Sequence, residues 1–436
     1  MKKINNSVLA LALFVGIANA NAQEKKTLTL DDAVQLGIQN SKNLKIDAAK
    51  IEEATANLLE AKNRQLPELK VSGSYMYLPF KPNIDIKLPG VSGGGPEVHQ
   101  VAYGTANLSV PIYSGGRIRY GIESAKYLVE ASRLTTENDK VAIAYNVAQA
   151  YNNLFKANQS IKVLEKNLTA SQKRDETFLK LENNGVIARN DRLKASLQTS
   201  NIELQLLEAK NNYNIANINM DLLLGLPETT EIEVDQNYIE EGNEVKPLDF
   251  YLNEARENRK DLQALDKQRQ AAALGTKSAK AENLPSIAFT GGYVAADIPK
   301  FLTIYNAVNV GVGISYNLSN LWKENSSLKQ SKAKEMQLAA TNELLNDNIK
   351  LDVNREYQNT DYSKKRIAVF EKSAEQANEN YRITKNKYDN GLATMTELLD
   401  ADAAQISANV GVINAKADAV LAYRKLLQTT GTLTNK

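Results

Sequence analysis

The sequence repeats itself, and that repeat limits the possible folds more than any other feature. "DDAVQLGIQNSKNL" (Asp31 to Leu44) aligns with "DFYLNEARENRKDL" (Asp249 to Leu262) at a shift of 218. The same shift carries Leu66-Pro67 onto Leu284-Pro285, Gly73 onto Gly291 and Tyr75 onto Tyr293. Further along the shift is 206: Ser109 meets Ser315, Gly185 meets Gly391, Leu193 meets Leu399 and Gly225 meets Gly431. The first copy therefore holds 12 extra residues between Tyr75 and Ser109. Residues 23–225 read as the first repeat and 248–436 as the second. The acidic joint between them, 226–247, lacks sustained helical periodicity and reads as a linker or small surface element.

Each copy reads as helix, two strands, very long helix, glycine turn, helix. Val308, Val310, Val312, Ile314, Tyr316 and Leu318 alternate with Asn309, Gly311, Gly313, Ser315 and Asn317, the pattern of a half-buried sheet. Ala102 to Val110 alternate in the same way, and Val71 to Tyr77 less cleanly. Each run has about the ten residues a tilted strand needs to cross a bilayer. A soluble hairpin would fit such short runs too. The small or polar second face and the flanking Tyr75, Tyr77, Tyr113 and Trp322 favour a barrel wall.

No proline interrupts Ile118 to Glu182, so one helix of about 95 Å is expected there, with a counterpart from Trp322 to Tyr388. In the counterpart, Ile367, Phe370, Ala374, Ala377, Tyr381, Thr384 and Tyr388 form a heptad seam. The last helix carries two seams. One is Ile406, Val410, Ile413, Ala417, Val420 and Leu427; the other is Ala408, Val412, Ala415, Ala419, Ala422 and Leu426. Two seams require neighbours on both sides, as in a closed ring of helices or a plain bundle. The helices at Asp31 to Gln65 and Asp191 to Leu224 are each about half the length of the long one, so stacked end to end they match it.

Residues 1–22 combine a basic start, an apolar core and small residues near Ala22, the pattern of a cleaved signal peptide. No later stretch has the 18 apolar residues of a transmembrane helix, so any membrane crossing uses strands. The chain has no cysteine and one histidine, His99, which excludes thiol chemistry and leaves no metal set; no cofactor is expected. A net charge of +2 on 436 residues implies no nucleic acid. Two hairpins supply four strands, too few for a barrel that closes with about eight or more, and open edges in lipid would be unpaired. The chain must therefore oligomerise. Three copies give twelve strands, and a dimer remains open.

This doubled organisation, "LTLDDAVQLGIQNSKNLK", the junction "LSVPIYSGGRIRYGIESAK" (Leu108 to Lys126) and the two glycine turns resemble the TolC outer-membrane efflux protein family. The resemblance covers nearly the whole mature chain. It implies a mainly α fold with β-hairpins: a homotrimer with a 12-stranded β-barrel in outer-membrane lipid, continued by a periplasmic α-helical barrel. It also implies a passive efflux or secretion duct that docks to a periplasmic adaptor and an inner-membrane transporter. Pro79 to Gln100 would be the first extracellular loop, and "DIPKF" (Asp297 to Phe301) would begin the second. The acidic joint would lie in a belt around the helices. Pro111, Gly115 and Gly116 would turn the chain from strand to helix, with the proline where a missing N–H costs least. The competing readings are a secreted coiled-coil structural protein and a periplasmic adaptor.

The acidic stretch after Gly391 raises the question of catalysis. Glu397 and Asp400 lie three residues apart on one helix, share one environment and have no histidine or nucleophile beside them, so an enzyme is not expected. "GTKS" (Gly275 to Ser278) lacks the upstream glycine of a phosphate-binding loop. Thr394 and Glu397 have the spacing of a capping box, and Gly185 and Gly391 suit left-handed helix ends. The family resemblance puts Glu397 and Asp400 on acidic positions that narrow the periplasmic entrance. It puts Tyr388 and Asp191 on positions that tie neighbouring helices shut. Ala393 stands where an arginine is expected, and Arg189 and Arg192 are the candidate replacements.

Overall fold

A computed structural model describes residues 25–80, 82, 98–240, 244–299 and 301–434. The expected signal peptide and most of the Pro79 to Gln100 segment lie outside these residues. In chain order the elements are β1 (Lys25–Leu28), α1 (Leu30–Asn40), α2 (Lys42–Asn63), β2 (Glu68–Tyr77), β3 (Gln100–Tyr113) and α3 (Arg117–Asn183). Then follow α4 (Arg189–Leu224), β4 (Glu231–Val234), α5 (Leu248–Asn258), α6 (Lys260–Ala281), β5 (Ser286–Ile298), β6 (Leu302–Ser315), α7 (Ser326–Asp389) and α8 (Met395–Thr430). Short 3-10 turns occupy Gln236–Glu240 and Leu318–Leu321.

The two halves share local rules. Each first helix is broken once, where the sequence reads as continuous. Ser41, between α1 and α2, and Arg259, between α5 and α6, both leave the helical region, with ψ of 122° and 116°. The breaks are 218 residues apart. Thr29 starts α1 with a reciprocal capping box to Asp32. The ends of α3, α4, α7 and α8 use one device: a glycine at φ of +68° to +75°, with the next N–H reaching back five residues. Val186 bonds Leu181, Leu226 bonds Asp221, Leu392 bonds Lys387 and Thr432 bonds Leu427, which satisfies carbonyls the helix leaves free.

Contacts divide the chain into two compact units that cut across the halves. One is made from Asn43–Asn138 and Arg259–Lys350. Its centre is an antiparallel sheet in the order β2-β3-β5-β6, with Glu68 opposite Ser109 and Ser286 opposite Ser315. Register places Leu69, Val71, Ala106, Leu108, Val110, Phe289, Tyr293, Val308, Val310 and Val312 on one face. The other face carries Ser72, Ser74, Thr105, Asn107, Thr290, Gly292, Asn309, Gly311 and Gly313. Among the described residues β2 and β6 each pair on one side only.

The second unit takes the described residues of Met1–Lys42, Asp139–Asn258 and Leu351–Lys436. Tyr151, Leu154, Phe155, Ile202, Met220, Leu224 and Ile232 are fully buried in it. β1 and β4 form a parallel pair with Lys25 opposite Glu231, an element the acidic joint did not reveal. From Ala408 to Thr430 no residue of α8 is exposed, as its two seams require. Gly411 permits the close crossing of α7: a Cβ there would lie 2.6 Å from the Phe370 ring.

Gly411→Ala is expected to lower stability by about 1–3 kcal/mol through overpacking on Phe370. Gly185→Ala, whose Cβ would meet nothing, should cost only about 1 kcal/mol for its left-handed backbone. Thermal melts of the two variants, followed by circular dichroism, check the order.

Candidate functional site

The site begins at the two helical turns of the second unit. A small apolar cluster of Phe178, Ala195 and Met395, with Leu181, Ile187, Tyr388 and Leu399 against it, joins α3, α4, α7 and α8 beside both turns. Gly185 and Gly391 thus lie at the same end of the unit. Val186 and Leu392, the residues after those glycines, are exposed.

Glu397 is tied into the backbone. Thr394 N–H and Oγ1–H donate to its Oε2 at 2.6 and 2.9 Å, and its own N–H donates to Thr394 Oγ1 at 3.3 Å. The Thr394 backbone and side-chain bonds hold its carboxyl below the usual glutamate range. Asp400, one turn on, is exposed and outside the capping box. The two acids therefore differ in environment: Glu397 closes a helix end, and Asp400 is exposed outside that box.

Tyr388 packs its ring on Phe178, with centroids 5.9 Å apart. Burial raises its hydroxyl pKa, and the charges of Asp191 and Asp389 raise it further. Asp191 forms an ion pair with Lys194 at 3.6 Å in the first turn of α4. Arg192 pairs with Glu182 across the Gly185 turn, and Arg189 is exposed. Arg192 is thus committed within its own turn.

A largely buried polar link near this end involves a residue that the sequence reading passed over. Arg174 of α3 donates to Asp402 of α8 at 3.1 Å and to the Tyr381 hydroxyl of α7 at 3.4 Å. The Arg174 and Asp402 side chains are only 14% and 6% exposed, so water screens this pair little. The signal was available: Asp402 lies one turn before Ile406 on an apolar seam, where a charge needs a partner. Further up, Asp418 receives Lys156 of α3 at 2.9 Å and Arg366 of α7 at 3.3 Å.

Pro111, Gly115 and Gly116 belong to the other unit. Pro111 borders a register shift near the end of β3. Gly115 and Gly116 have φ of +64° and +86°. A Cβ on Gly115 would meet the Leu284 side chain at 2.9 Å and the Ala281 carbonyl at 3.0 Å. Both glycines hold one tight conformation here. Among the described residues no group of three or more His, Cys, Asp or Glu could hold a metal. No described helix is long and apolar enough to cross a membrane.

Removing Arg174 alone (Arg174→Met) would leave Asp402 buried without a counter-charge, and is expected to cost about 3–5 kcal/mol. Combining it with Asp402→Leu should recover much of that loss. A denaturant double-mutant cycle measures both, and independent, additive losses would refute the pairing.

A model of the family described as "Outer membrane efflux protein" matches residues 33–226 and 251–432. Among solved structures, the outer membrane protein VceC from Vibrio cholerae aligns with a TM-score of 0.76 at 17% identity, covering 92% of this chain and 96% of its own. The CmeC outer membrane channel of Campylobacter jejuni aligns at 0.74 and 18% identity, covering 93% and 86%. The open-state MtrE outer membrane channel of Neisseria gonorrhoeae aligns at 0.73 and 18%, covering 93% and 89%. A sequence search of curated proteins finds no match.

Proposed function

The chain belongs to the outer membrane efflux protein family, and we propose that three copies assemble into a passive exit duct through the outer membrane. One observation carries this reading: a four-stranded sheet with an apolar face and two outer strands that, among the described residues, each lack a second neighbour. In lipid, those edge N–H and C=O groups would be unsatisfied unless another copy pairs with them. Three such sheets supply the twelve strands of a closed barrel, with the serine, threonine, asparagine and glycine face turned to the lumen.

The helices support the same assembly. On α4, Leu193, Leu197, Leu204, Leu207 and Ile218 recur at heptad spacing and are exposed. On α7, Leu344, Leu351, Tyr362, Val369 and Ile383 are exposed beside the covered seam. A neighbouring copy covering both would complete a ring of helices. Val186 and Leu392, exposed at the turns, suit docking to a periplasmic adaptor that links the duct to an inner-membrane transporter. Asp400 from each copy would face the narrowed entrance and favour cations.

Charged substitutions at Leu204 and Leu207 (both to Glu) are expected to abolish a heat-modifiable trimer on gels while helical circular dichroism persists. A trimer that survives would overturn the seam assignment. In planar bilayers, Asp400→Asn should reduce cation preference several-fold and raise conductance. Glu397→Gln should change little, because glutamine also serves a capping box. Unchanged selectivity in Asp400→Asn would remove that residue from the entrance without touching the fold.

A further inference from the structure

Asp221, the residue whose carbonyl closes α4, has a side chain that stands apart from the groups used so far. It lies in the last turn of α4, its side chain is fully buried, and its Oδ1 has no hydrogen-bond partner. Its Oδ2 accepts one bond, from Asn217 Nδ2 at 3.0 Å. Several features act against a negative charge at this place. Burial removes water, the C-terminal end of a helix carries partial negative charge, and Glu228 adds a like charge. The titratable groups with a resolved interaction with it are Glu228, on the segment after α4, and Tyr213, on α4 itself. Neither supplies a positive charge.

Asn217 connects this carboxyl to the strand pair. Its Nδ2 also donates to the Thr230 carbonyl at 2.6 Å, and its Oδ1 accepts the Ile232 N–H at 2.9 Å. One amide thus holds the start of β4 against α4, and Asp221 fixes that amide's orientation. Tyr213 adds a bond to the Ile232 carbonyl at 3.3 Å. β4 in turn carries β1, and Tyr151 joins both ends by donating to the Leu28 carbonyl at 2.9 Å and accepting the Asp235 N–H at 2.7 Å. Burial pushes the Tyr151 hydroxyl up to about 12, so it remains a donor at every relevant pH.

We propose that Asp221 is a proton-operated latch: as the neutral acid it holds the Thr230–Val234 segment, and through it the β1–β4 pair, against the end of α4, and its ionisation loosens that hold. The partner of the latch is the proton itself. The neutral acid carries no charge into the buried site, whereas the carboxylate places an uncompensated charge beside Glu228. The folded-state value, about 6, lies above the ordinary aspartate value of 3.8. The folded state therefore binds the proton more tightly than the unfolded one. The stabilisation is complete below about pH 4, is lost as pH rises towards about 6, and stays lost above that.

Hydrogen exchange on the full-length protein in detergent tests this, read as protection factors for Thr230 to Val234. In the wild type, protection should rise roughly 10- to 100-fold as pH is lowered from 7 to 4. Asp221→Asn, neutral at every pH, should show the high protection throughout and no pH dependence. Asn217→Ala should lower protection at both ends of the range. Flat protection in the wild type, or the same slope in Asp221→Asn, would overturn the latch.

Discussion

Backbone hydrogen bonding at the edges of the β2-β3-β5-β6 sheet is the constraint on which the architecture turns. In water an open edge costs little, because solvent satisfies it. In hydrocarbon each unpaired group costs several kcal/mol. Among the described residues β2 and β6 have no strand partner on their outer sides and an apolar face is exposed, so in the proposed assembly one chain would supply only part of the barrel wall. The helices carry the same deficit in another form. α4 and α7 each bury one seam within the chain and leave another apolar set exposed. In both cases the missing neighbour is implied by chemistry that makes sense only when covered.

Polar groups within the helical packing perform a different task. Heptad seams of alanine and valine can slide by a turn at little cost, since one small residue packs much like another. Arg174 against Asp402 and Tyr381, and Asp418 between Lys156 and Arg366, remove that freedom by requiring particular partners on α3, α7 and α8. Such pairs add little net stability after desolvation, but a shifted register would leave their charges buried and alone. Asp221 is the exception, a buried carboxyl whose side-chain partner is an amide rather than a cation. Where the other carboxylates are matched to named cations, this one meets an amide and a like charge.

Much of this was legible in the sequence because it is periodic. The two shifts of 218 and 206 fixed element order, and alternation at Val308 to Ile314 fixed the strand faces. The glycines at 185 and 391 marked both turns. What escaped detection was non-periodic or long-range. β1 and β4 are four residues each, and their pairing spans 206 positions, so neither shows a pattern of its own. The break at Ser41 rests on one residue's backbone angle, which its side chain does not announce. Asp402 sits on the seam of Ile406, where a charge needs a partner, but Arg174 has no spacing that identifies it as that partner in advance.

The two turns share a backbone yet differ in chemistry, and the difference bears on how an entrance built from them would behave. The 206 shift sets Ala188 against Thr394, Asp191 against Glu397, and Lys194 against Asp400. In the first repeat the acid and base pair with each other and leave little net charge. In the second, the capping box occupies Glu397, and Asp400 is left exposed. The same shift sets Glu182 against Tyr388 and Arg192 against Leu398. The first turn is thus braced by an ion pair, the second by Tyr388 on Phe178 and the apolar cluster around it. A ring of these hairpins would alternate near-neutral and acidic members. The acidic members would be the ones held by packing, which can slip by small steps without leaving a charge unpaired. Ala393 supplies no charge after Gly391, so in such a ring the restraint on the acidic hairpins would rest largely on the packing of Tyr388 against Phe178 and on the Arg174–Asp402 link higher on α8.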